Sequence, residues 1–233
     1  INQKIEKYDN PKFETELFVL FPVSFFCFLC PDDLFQNSTS IKYAYMRSVE
    51  QIGQNSFQNC TELINLDMPN VIKIGDHSLE RCISLTSINF PKLTFIGEHS
   101  FEGCDQITQI VLNKVEIAGN FSFYGCTALK SANFQNLRIC GESAFHNCVA
   151  LKSIMAPFLE TVGVRCFYNC KELQRFDMPS VSKIDDEAFA FSGLTRINYE
   201  NLKTIGKLAF GNCHQLQQVL CNSLTTIGKY AFY

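Results

Sequence analysis

The chain has 233 residues, enough for one large domain or two average ones, with a net charge of −3 and no tryptophan. Lys and Arg are scattered rather than clustered, so nucleic acid or an anionic membrane surface has no electrostatic support as the main partner. Twelve cysteines in a small secreted chain would suggest a disulfide framework, but their placement, taken up below, points elsewhere.

The chain opens with an acidic, Lys-containing lead over residues 1–16, followed by an apolar run over 17–30. That run contains Pro22, is too short for a membrane span, and lacks the basic start of a signal peptide. Residues 1–29 are expected to form an N-terminal cap or an irregular first rung. Cys27 and Cys30 have redox spacing but lie in this apolar run without a thioredoxin-like context, so a structural role is expected. With no initiator Met, the chain is expected to be a segment of a longer product.

From residue 30 onward a pattern returns every 22 residues. Its Ile-Gly pair appears as Ile52-Gly53, Ile74-Gly75, Ile96-Gly97, Ala118-Gly119, Cys140-Gly141, Val162-Gly163, Ile184-Asp185, Ile205-Gly206 and Ile227-Gly228. One residue is lost near Ser192-Gly193, giving a spacing of 21 between Ile184 and Ile205. Units this short cannot close a core alone and must stack, so residues 30–233 form one solenoid.

Seven cysteines (Cys60, Cys82, Cys104, Cys126, Cys148, Cys170, Cys213) share one position of the repeat. Stacking aligns them in a column, which reads either as buried free thiols or as inter-rung disulfides. The thiol reading mildly favours a reducing compartment. Three residues before each cysteine stands Phe57, Leu79, Phe101, Phe123, Phe145, Phe167 or Phe210, preceded by a small residue. Asn or Gly directly before most of these cysteines suits a left-handed backbone at the end of a short helical turn. After the cysteine, apolar residues at plus six and plus eight, with Pro at plus nine in four rungs, predict a short strand with one face buried. A second extended piece is expected over 71–74 and its equivalents, turning at the Gly.

The string Leu-x-x-Ile-x-Phe-Pro-x-Leu-x-x-Ile-Gly-x-x-Ser-Phe-x-x-Cys over residues 85–104 resembles the BspA-like subclass of leucine-rich repeats. The resemblance covers about residues 30–233 and excludes 1–29. It implies an α/β repeat solenoid, a right-handed stack of rungs with a parallel β-sheet on its concave face and short helical turns elsewhere. It also implies adhesion or protein recognition, sometimes at the surface of bacteria or parasitic protists. The placement of Pro after the strand, where commoner leucine-rich repeats carry Asn or Cys, sets the subclass apart.

On this frame the residues at plus five and plus seven point away from the core. They are Asn65, Asp67, Ser87, Asn89, Gln109, Val111, Ser131, Asn133, Ser153, Met155, Arg175, Asp177, Arg196, Asn198, Gln218 and Leu220. This neutral, amide-rich strip is either a binding face for a protein or glycan or an ordinary solvated sheet. Phe95, Ile117 and Ile139 share the plus-thirteen position, as an apolar stripe covered by the core's curvature or as an exposed patch.

His77 and His99 occupy equivalent places in adjacent rungs, but the next rung offers Phe121, so a metal site is not expected. His146 near Cys148 and His214 beside Cys213 suggest a Cys–His nucleophile, yet both cysteines belong to the core column. No enzyme, cofactor or metal is expected, and no direct membrane insertion. Two functions remain open: a surface adhesin or antigen, and an intracellular scaffold for protein complexes. The last rung stops just after Phe232, so an open C-terminal edge is expected to allow end-to-end self-association.

Overall fold

The structure is a computed structural model that describes residues 28–233 and the backbone of 17–20. Most of residues 1–29, the segment expected to form a cap or an irregular first rung, and Cys27 of the Cys27–Cys30 pair, lie outside these residues. Each rung brings the backbone back beside its predecessor in parallel register, with Lys73 opposite Phe95, Phe95 opposite Ile117 and Ile117 opposite Ile139.

Two ladders of strands run along the stack. The two-residue strands, from Leu29–Cys30 through Phe95–Ile96 to Thr226–Ile227, make one parallel sheet of 10 strands. The longer strands form a second face in pieces, such as Gln109–Val111, Ser131–Asn133 and Ser153–Met155. Leu17–Leu20 pairs in parallel with Ile41–Tyr45 at the head of that face. The second extended piece predicted over 71–74 is thus confined to Lys73–Ile74.

The core is a set of columns, each built by one repeat position. The phenylalanine rings stack face to face from Phe101 to Phe232, with Phe123 and Phe145 centroids 5.1 Å apart. Phe134, just after the strand Ser131–Asn133, and Phe176, where the strand is interrupted, meet this column edge-on. Offset stacks and edge contacts of this kind add to the burial of the rings themselves. The cysteine column is buried beside it. Each thiol donates to a backbone carbonyl 24 or 25 residues earlier, as Cys104 does to Leu79 and Cys148 to Phe123, both at 3.2 Å.

The expected helical turns do not form; the described residues contain no helix. The reason lies in where the amides point. In the Phe-bearing segment alternate N–H groups bond to the next rung, Asn55 to Asp76, Phe57 to Ser78 and Asn59 to Glu80. The amides between them close tight turns, Gln58 to Asn55 and Cys60 to Phe57. Half of the donors a helix needs are therefore used between rungs. Each full rung also has two left-handed residues, for example His77 at φ 54° and Arg81 at φ 57°, which stop a helix from propagating. The second of these is the Asn/Gly position anticipated from sequence.

Close stacking explains the glycine after the isoleucine. A Cβ on Gly97 would lie 2.6 Å from the carbonyl carbon of Gly75 in the preceding rung. The following acid or amide then ties the rungs together: Asp76 Oδ1 accepts the Glu98 N–H at 2.9 Å, as Asp32, Asn120 and Asp186 do for Gln54, Glu142 and Lys207. The shortened rung cuts across at Gly193, where a Cβ would meet the Lys171 carbonyl oxygen at 2.1 Å. Pro69 occupies the second place of the turn closed by Val71 N–H to the Met68 carbonyl, a position that suits its fixed φ.

Candidate interaction surface

Strand pleating carries the middle residue of most three-residue strands into the core and its two neighbours outward, although Val219, near the C-terminal end, is exposed. Ile110, Ala132 and Ile154 are buried between outward pairs that stand in register: Gln109, Ser131 and Ser153 in one row, Val111, Asn133 and Met155 in the other. None of the sixteen predicted strip residues is buried. Fourteen lie on strands. Arg175 and Asp177 lie where the face is interrupted and pair with each other at 3.3 Å, both largely exposed.

Parts of the strip are joined internally. Asn89 donates to Asp67 at 3.0 Å, and Gln135 donates to both Asn133 and the Met155 sulfur. Arg196 has no ion-pair partner among the described residues. Two members were missed from sequence. Tyr43 and Tyr45 align with Asn65 and Asp67 and extend the same face by one rung. Their offset from Phe35 could have revealed them, but that rung carries Ser38 in place of the cysteine. Burial and the neighbouring Tyr43 and Asp67 push the Tyr45 hydroxyl above its ordinary pKa.

The plus-thirteen stripe is exposed, resolving the two alternatives left by sequence. Phe95, Ile117 and Ile139 are 39%, 42% and 43% exposed on the ten-stranded sheet. Lys73 bounds the stripe, with its ammonium 5.3 Å from the Phe95 ring centre.

The histidines take structural places. His77 stacks on His99 at 4.7 Å and His99 on Phe121 at 4.6 Å, while each histidine Nδ1 pairs with the glutamate three residues on, Glu80 or Glu102. No group of three or more metal-binding side chains occurs among the described residues. His146 is held between Tyr124 and Tyr168 in an outer column of rings, and its Nδ1 has no hydrogen-bond partner. The Cys148 thiol instead faces the core and donates to Phe123. Cys213 is likewise turned inward, toward the Phe189 carbonyl and the Ser192 hydroxyl, while His214 is exposed. Burial pushes the Cys148 and Cys213 thiols above their ordinary pKa, so neither is the thiolate a nucleophile needs.

Short parallel strands closed rung upon rung, with a continuous, largely apolar interior and outward rows of mostly polar side chains, define a repeat solenoid of the leucine-rich class. A profile of the BspA-type leucine-rich repeat region matches six copies over residues 30–152 and 116–233, and the chain belongs to that family. Among solved structures, a leucine-rich repeat protein of T. pallidum (TpLRR) is similar, with 26% identity and a TM-score of 0.63 over 68% of this chain and 78% of that one. A leucine-rich repeat protein of Eubacterium ventriosum shares the fold at 22% identity and a TM-score of 0.57, over 66% of this chain and 44% of that one. Comparison with curated proteins gave no match. No helix among the described residues is long and apolar enough to cross a membrane.

Proposed function

We propose that the chain is a non-catalytic recognition module that binds an extended protein or glycan segment across the open face of its three-residue strands. The observation that carries this reading is the register of the outward rows. Ser131 stands between Gln109 and Ser153, and Asn133 between Val111 and Met155. Rungs recur at about 4.8 Å, so donors and acceptors repeat along a line that an extended ligand can follow. Apolar spots at Val111, Met155 and Leu220 supply contact area between them. Many weak, aligned contacts suit recognition without chemistry, and the inward-facing thiols supply no nucleophile.

The family supports an adhesin or surface-antigen role. The column of buried free thiols favours the alternative, an intracellular scaffold, since reducing compartments keep such cysteines unpaired. The compartment of the native product separates the two.

The binding test is a screen of the purified chain against glycan and peptide arrays, repeated with two variants. S131R/S153R fills the centre of the strip, and R175E/R196E reverses charge along it. Both alter exposed or half-exposed side chains, so folding is expected to be unchanged. Loss of the captured ligand in S131R/S153R supports the face as the site. Retention of binding by both variants removes it.

A further inference from the structure

The cysteines outside the ladder behave differently from those within it. Ladder cysteines occupy one repeat position, so their Cα–Cβ bonds run parallel in successive rungs, and each thiol is engaged by a carbonyl. Cys140 and Cys166 come from two different positions. Cys140 ends the two-residue strand Ile139–Cys140, where most rungs carry Ile, and Cys166 precedes Phe167, where most carry Ser or Ala. The stack brings the first of these positions against the second of the next rung. Here alone both are cysteine. The two sulfurs converge to 2.7 Å across 26 residues of sequence, and both residues are fully buried.

We propose that Cys140 and Cys166 are a dithiol site, oxidised to an inter-rung disulfide by a disulfide-class oxidant such as oxidised glutathione or a protein disulfide oxidoreductase. Each cysteine gives up its thiol proton, and together they give up two electrons. One S–S bond forms between them, while the oxidant's S–S bond breaks and leaves as two thiols. The exchange belongs to folding or to an opened rung rather than to the closed stack. Burial and the adjacent Cys140 hold the Cys166 thiol well above its ordinary pKa, so the attacking thiolate is disfavoured once the rungs have closed. The same burial shields the finished bond from reductant. The site is therefore a lasting clamp between adjacent rungs.

The preceding rung supplies the control. Ala118 and Ala144 occupy the equivalent two positions and are fully buried, so C140A/C166A fits a pairing the stack already accommodates. The chain is refolded in glutathione buffer, free thiols are alkylated in denaturant, and the peptides are mapped without reduction. A cross-linked peptide joining Cys140 to Cys166, with the ladder cysteines alkylated, is expected. Both cysteines alkylated, or cross-links spread over the ladder, would overturn the proposal. Closing a loop of this length is expected to raise the Tm of the oxidised over the reduced protein by roughly 5–10 °C. That difference vanishes in C140A/C166A; its persistence there would assign it to another pair.

Discussion

The ring of Phe145 lies between Phe123 and Phe167, with centroids 5.1 Å and 5.3 Å away and planes within 10° of parallel. It is fully buried, and Phe134 meets it edge-on. Rungs on both sides contribute to its pocket, so neither can collapse into the space left by a truncated ring. F145A is expected to cost about 3–5 kcal/mol, read from urea unfolding of the variant against the parent. An unfolding midpoint close to the parent's would refute the stacked column.

The contrast is the plus-thirteen stripe. Ile117 is followed at once by buried Ala118, and the two differ by a single step in the pleat. Because Ile117 faces outward, I117T is expected to change stability by less than about 0.5 kcal/mol. A larger loss would place the stripe in the core, as one sequence reading allowed. The same variant tests partner binding at this second surface without disturbing the sixteen-residue strip.

The cysteine column gives a third expectation. Burial raises the Cys60 thiol to about 12, and Cys104 and Cys148 well above the ordinary range. Thiolates are therefore scarce in the folded protein at neutral pH. The ladder cysteines should resist a thiol reagent in the native state and react once guanidinium is added. Among the described cysteines, Cys221 is the most exposed and should react first. Rapid native reaction of Cys104 would show that the column opens.

Most of the core was legible because every copy of the repeat repeats the same burial. Phe101, Cys104, Leu93 and Ile96 each announce a column by recurring at a fixed offset. Pro69 and Asn59 mark turns by their own backbone limits. Features that join different offsets were not legible. The Cys140–Cys166 contact couples two different offsets of the repeat, 26 residues apart, and the outer ring column crosses from Phe121 to Tyr124 before passing to His146. The helical turn was misread because a small residue, Phe and Asn suit a helix end and a tight turn equally. The choice fell to inter-rung amides such as Phe57 N–H to the Ser78 carbonyl, which no single rung reveals. For the strip, sequence identified outward-facing residues, and Tyr43 and Tyr45 stand at the same offsets from Phe35, in a rung whose missing cysteine hides its register.

His146 provides a pH-dependent test of that outer column. Desolvation, aided by the Arg165 charge and opposed by Glu187, lowers its pKa below the ordinary imidazole value. The unfolded chain therefore binds this proton more readily than the folded one, and stability must fall as pH drops below about 6.5. The loss is complete once the pH has passed the lower, folded-state value. Glu187 acts in a separate window. Its hydrogen bonds from Arg165 depress its pKa, so its contribution is present above the ordinary carboxylate range and disappears as pH falls through the folded value. Because the Arg165–Glu187 pair is only partly buried, solvent screening keeps that second contribution small. H146Y keeps an aromatic ring between Tyr124 and Tyr168 while removing the imidazole. The parent is expected to lose thermal stability between about pH 7.5 and 5.5, and H146Y to lose much less over the same range. Equal slopes in the two proteins would show that His146 titrates freely and that the ring column leaves its proton equilibrium untouched.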